Sequence, residues 1–216
     1  MANATPPPAL ELARTVVRAG PHSAEGVAAL KALKACGPAA VDAVVEVLAD
    51  PPPTPDRHPR DVWEDRGLLL WSLAKRPDCE DAILDRLAAG SLSEQDTVQA
   101  LGVMSGRRSL EALIELLNAD EPWVRQCAVR ALQRRNGEPA PALATPALID
   151  SLRDRSVLVK ENVVSAMLSR AAFRTPAALQ NLRRLRASDA FRQRHSHSWT
   201  KAGRVIELIE ADAAGD

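Results

Sequence analysis

The chain has 216 residues, of which 46% are hydrophobic and 26% charged, a composition that excludes disorder and leaves enough apolar side chains for a buried core. Aromatics are only 3% and there is no Tyr, while Ala and Leu abound, which argues against a β-sandwich or barrel and for helix. The formal net charge is zero but unevenly spread: residues 1–120 carry −6 and residues 121–216 carry +6, an asymmetry that bears on partners.

In chain order, Met1 to Leu12 has neither a basic stretch nor an apolar run, so no signal peptide is expected, and no later apolar run reaches the length of a membrane span. Apolar residues at helical spacing predict six antiparallel pairs, 8–19/23–36, 38–50/61–76, 79–89/93–105, 109–119/122–135, 145–154/157–172 and 176–187/190–211. Start signals punctuate them. Gly37-Pro38 breaks the chain, Ser93-x-x-Asp96 resembles a capping box, and Thr145-Pro146 and Thr175-Pro176 each offer an N-cap hydroxyl followed by proline. The prolines between Pro51 and Pro59 forbid helix and predict a stiff exposed loop inserted in the second pair. Residues 190–211 are expected to form a C-terminal capping helix. The whole, 1–216, reads as a single domain. Cys36, Cys79 and Cys127 are distant and odd in number, which points to a reduced, cytoplasmic protein. Arg outnumbers Lys, as in GC-rich bacterial sequences.

The pairs repeat. Ala112 to Leu117 aligns with Ala147 to Leu152 at an offset of 35, and the same offset carries Trp123-Val124-Arg125-Gln126 onto Leu158-Val159-Lys160-Glu161. Weaker copies begin at Ala43, Ala82 and Ala178. The second helix of the best copy places Val124, Cys127, Ala128, Ala131 and Leu132 on one stripe. One pair cannot bury such a stripe alone, so neighbours must stack into an α-solenoid. The expected core joins Leu113, Ile114, Leu117, Val124, Ala128 and Leu132 to Leu148, Leu152, Val159, Val163 and Met167.

The run from Leu148 to Asp154 followed by Val159-Lys160, and Leu117 to Asp120 followed by Val124-Arg125, resembles the HEAT repeat and is similar to the related repeats of bilin lyases. The resemblance covers residues 79–172 well and the flanks weakly. It implies an all-α, armadillo-like solenoid; for function it implies only that such arrays serve as scaffolds, nucleic-acid binders and a few enzymes. It also implies an inter-repeat ladder in which Arg125, Asp154 and Lys160 take part. Ala119 stands where Asp154 does in the next repeat, so that ladder is at best partial.

No nucleophile, dinucleotide or phosphate-loop motif occurs, so no catalytic residue and no cofactor is assigned. His195 and His197 diverge by about 200° on a helix, so no metal site is assigned either. Two surfaces remain. Val98, Val129 and Val164 fall at equivalent positions off the main stripe; with Gln126 and Arg130 they either line a concave face that binds a protein partner or are buried by curvature. Residues 155–204 hold eleven Lys and Arg against Glu161 and Asp189. Arg183, Arg184, Arg186, Arg192, Arg194 and Lys201 among them are candidate contacts for nucleic acid or another anion, interleaved with Phe191 and Trp199. The leading expectation is a non-catalytic scaffold with a protein partner, acidic if the basic third is used. Nucleic-acid binding comes next, and a cofactor-handling enzyme of the bilin-lyase kind last.

Overall fold

The computed structural model describes residues 8–54, 59–135 and 140–214. Among them are thirteen α-helices and three short 3-10 turns, with no strand. They fall into two compact units, 1–109 and 110–216.

The first unit contains α1 (Ala9–Ala19), α2 (Ala24–Ala35), α3 (Ala39–Ala49), α4 (Pro59–Ala74), α5 (Pro77–Ala88) and α6 (Glu94–Leu101). Local chemistry sets the ends. Ser23 accepts the Gly26 N–H at 2.9 Å to cap α2. Ser93 caps α6 by accepting the Asp96 N–H and donates its own proton to Asp96 at 2.6 Å. Gly37, at φ 62°, makes the left-handed step between α2 and α3 that a side chain would disfavour. The helix that follows the proline-rich stretch begins at Pro59, earlier than the periodicity placed it, while 55–58 lie outside the described residues. Val16, Val17, Leu33, Val44, Val47, Leu69, Leu73 and Ile83 are fully buried along the seam.

Charged side chains tie the first helices of neighbouring pairs. Arg14 of α1 meets Glu46 of α3 at 3.5 Å, and Arg86 of α5 donates to Asp42 of α3 at 2.9 Å. Arg108 then reaches both Asp81 and Asp85 of α5. All are solvent-exposed, so they fix registration more than they stabilise.

The boundary between the units falls in α7 (Arg107–Glu115), which runs on as a 3-10 turn, Leu116–Asn118. The second unit then contains α8 (Pro122–Arg134), α9 (Ala140–Ser151), α10 (Val157–Ser169), α11 (Leu179–Arg186), α12 (Asp189–Arg194) and α13 (Ser196–Ala214). Leu113, Leu117, Val124, Ala128, Leu132, Leu148, Leu152, Val159, Val163 and Met167 are all buried, and Ile114 is half-buried.

Two local expectations give way. Thr145-Pro146 does not start a helix: α9 begins at Ala140 and Pro146 lies inside it. The Ala-rich segment ahead of the proline propagates helix through it, and the Thr145 hydroxyl donates to Pro141 O at 2.6 Å instead of capping. The capping helix expected over 190–211 is two helices. Ser188 caps α12 by accepting the Phe191 N–H, and the chain leaves helical geometry at His195, φ −137° and ψ 47°. That break opens a concavity beside α12.

Candidate partner-binding surface

A buried ion pair ties α8 to the turn after α9. Arg125 on α8 forks onto Asp154, in the turn after α9, with Nε–Oδ2 at 2.7 Å and Nη2–Oδ1 at 2.9 Å. Its remaining Nη1 donates to Ala119 O and Asp120 O at 2.7 and 2.8 Å, closing the end of the preceding helix. The two side chains are 4% and 9% exposed, so a desolvated pair is fully hydrogen-bonded. Burial alone would raise the Asp154 pKa. The Arg125 hydrogen bond, the Ser156 N–H and the charges of Arg125 and Arg155 outweigh it and hold the carboxyl below its ordinary value. Lys160, expected in the same ladder, makes no ion pair among the described residues. The same 35-residue offset from Asp154 falls on Asp189, which opens the short helix α12 and is exposed.

The groove valines are a correction. Val98, Val129 and Val164 are fully buried and touch no solvent. Second helices pack against the adjacent second helices as well as their own first helices: α6 lies on α4, and α10 lies on both α8 and α13. The stripe therefore widens to include position 129, next to 128, and position 164, next to 163. Of the proposed face, half-buried Gln126 and exposed Arg130 remain on the outer side of α8. There the helices join through polar rungs: Gln133 donates to Ser169 at 2.8 Å, and Ser198 donates to Glu161 at 2.7 Å beside a His195–Glu161 contact at 3.1 Å.

The basic residues of the C-terminal third do not share one place. Arg183 pairs with Glu210 of α13 at 2.7 Å. Arg186 lies over the Trp199 ring, 3.7 Å from its centre, and its carbonyl accepts the Trp199 indole N–H. Arg192 approaches the same ring at 5.2 Å, and Lys201 lies 3.4 Å from the Ser165 hydroxyl. Trp199 is thus half-buried, with its polar tip used and one face covered by a cation.

Arg184 and Arg194 face elsewhere, into a concavity of about 430 Å³ walled by the turn after α9 and by α10, α11 and α12. Arg153 and Lys160 line it too, as does His195. Its apolar part comes from Leu152, Val157, Leu185 and Phe191, the last stacked on His195 with ring centres 5.5 Å apart. None of Arg153, Lys160, Arg184 and Arg194 is ion-paired among the described residues. The neighbouring carboxylates are used: Asp154 by Arg125, and Glu161 by Ser198 and His195. Asp189 is exposed in the first turn of α12 and does not line the concavity. Arg153 is oriented by buried Asn181, whose Oδ1 accepts Arg153 Nε at 2.9 Å while its Nδ2 donates to Ile149 O at 3.1 Å. Sequence reasoning missed Arg153 and Lys160 as surface cations of this site. No local signal names them, since Arg153 and Asp154 are adjacent charges whose partners, Asn181 and Arg125, lie 28 and 29 residues away.

Among the described residues no group of His, Cys, Asp and Glu is arranged to hold a metal ion, and no helix is long and apolar enough to cross a membrane. Burial pushes the Cys79 and Cys127 thiols up, further from a reactive thiolate.

No curated protein matches this sequence. Among solved structures, the crystal structure of an engineered protein is similar over 94% of this chain and 89% of its own, at TM-score 0.52 and 18% identity, a likeness of fold. With the paired helices and the matched stripes, this makes the chain an all-α solenoid, and its residues 80–167 match the family model for HEAT repeats: over that stretch the chain is built of HEAT repeats.

Proposed function

We propose that this chain is a non-catalytic adaptor that binds a protein partner, and that an acidic surface of the partner meets the cationic end of the second unit. One observation carries the reading. Arg153, Lys160, Arg184 and Arg194 surround a single concavity, and none of them is ion-paired among the described residues. Unpaired cations around an apolar floor are the complement of an acidic protein surface, and such complementarity steers association. The free, widely spaced cysteines support a reducing, cytoplasmic setting.

Nucleic-acid binding is the weaker reading. Trp199, one of the rings interleaved with the basic residues, is covered by Arg186, and Arg183 is already paired with Glu210. The test is retention of proteins from the source cell on the immobilised chain, with and without nuclease, beside an Arg184→Glu/Arg194→Glu variant of unchanged melting temperature. The expected result is an acidic protein retained after nuclease and lost with the variant. Material lost on nuclease alone, or retained equally by the variant, contradicts the reading.

A further inference from the structure

The partner reading leaves open whether the cationic end meets a broad acidic face or a short segment. We propose that the concavity takes a linear acidic segment, with one apolar side chain seated on the floor and Asp or Glu on either side of it. The inference rests on the protein-binding reading and adds the chemistry of the occupant.

Three features argue for it. The first is shape: about 430 Å³ is far more than one carboxylate fills, yet small enough for one large side chain and the backbone that carries it. The second is the lining. Leu152, Val157, Leu185 and Phe191 form a floor that gains nothing from an ion alone, and Phe191 is held flat by its stack on His195. The third is the state of the cations. Arg153 uses Nε on Asn181, a side chain 5% exposed and itself tethered to Ile149 O, so its two terminal nitrogens stay available at a fixed place. A guanidinium held in advance loses less freedom on meeting a carboxylate than a mobile one. Lys160 on α10, Arg184 on α11 and Arg194 on α12 come from three different helices, so the charge surrounds the floor instead of lying along one edge. A chain crossing the floor meets cations on both sides, which suits acidic residues flanking the anchor. A nucleic acid offers its charges outermost and continuous, and would leave the floor empty.

The test is titration of the full chain, at about 150 mM salt, with synthetic peptides in which a single Leu is flanked on each side by Glu and Asp. The comparison probes are the same peptide with Ser in place of Leu, an all-Glu peptide of equal length, inorganic phosphate and a single-stranded DNA oligonucleotide. The expected result is saturable binding of the Leu peptide, with the Ser and all-Glu peptides weaker by about tenfold, the scale of one lost apolar anchor. Arg184→Gln and Arg194→Gln should each weaken the Leu peptide by about tenfold, the scale of one charge-assisted hydrogen bond. Equal binding of the Leu, Ser and all-Glu peptides overturns the anchored segment but leaves the acidic-partner reading standing. So does the absence of any peptide binding while a folded acidic partner still depends on Arg184 and Arg194. Phosphate competing away the Leu peptide at equal concentration overturns it in favour of a simple anion site. Tight DNA binding without peptide binding overturns both.

Discussion

Asp154 and Arg125 show how much one pair of residues settles in this protein. Removing Asp154 leaves a guanidinium buried without its counter-charge, so Asp154→Ala should lower the stability of the second unit by about 3–5 kcal/mol in urea unfolding. The pH dependence follows from the direction of its shift. The folded Asp154 pKa lies below its unfolded value, so the unfolded state binds the proton first. The pair's contribution is then fully present above the unfolded carboxyl range of about pH 4 and is lost as pH falls through the depressed folded value. A melting temperature that starts to fall only below about pH 5, and falls less in Asp154→Ala, is the expected result. Leu148 is fully buried, and Leu148→Ala should cost about 2–5 kcal/mol. Val129→Asp and Val164→Asp should unfold the second unit, as measured by loss of helical circular dichroism, because each puts a carboxylate where no solvent reaches.

At the scale of elements, helices are joined by contacts that periodicity does not encode. Arg170, just past the end of α10, donates to Gln133 O at 3.1 Å and to Arg135 O, satisfying the open carbonyls at the end of α8. Arg76, just past α4, does the same for Lys34 O at the end of α2. Both arginines could be seen in the sequence, but their targets lie about 40 residues away, and nothing local names them. The helix pairs themselves were legible because Leu, Val and Ala recur at helical spacing, and Ser93 capped where its pattern placed it. What misled was context. Pro146 reads as a helix start until the alanines before it propagate helix, and Val129 reads as surface until α10 covers it. The α11–α13 clamp gives a clean test. A Cβ on Gly203 would overlap the Arg186 guanidinium, which must then leave Trp199. Gly203→Ala should change Trp fluorescence with little net change in stability, because the displaced group is the end of a flexible side chain and Ala favours the helix interior by about 0.5–1 kcal/mol, whereas Gly67→Ala, with open space around its Cβ position, should leave the Arg186–Trp199 contact as it is.

At the scale of the whole molecule, neutrality conceals a division of charge: in the first unit Arg14, Arg86 and Arg108 are paired with Glu46, Asp42, Asp81 and Asp85, while the cations around the concavity of the second unit form no ion pair among the described residues. The asymmetry between the halves was legible from composition, but which cations are free was not. Of the six basic residues the sequence pointed to, Arg184 and Arg194 line the concavity, and Arg183 and Arg186 are spent on Glu210 and Trp199. Spent and free arginines are alike in sequence, since the difference lies in partners more than 10 residues away. The most direct measurement places a photo-crosslinking side chain singly at Arg184, Arg194, Arg130 and Asp42 and identifies what each captures in the source cell. An acidic protein joined at Arg184 and Arg194, insensitive to nuclease and absent at Asp42, is the result this account expects; adducts confined to Arg130, or consisting only of nucleic acid, would contradict it.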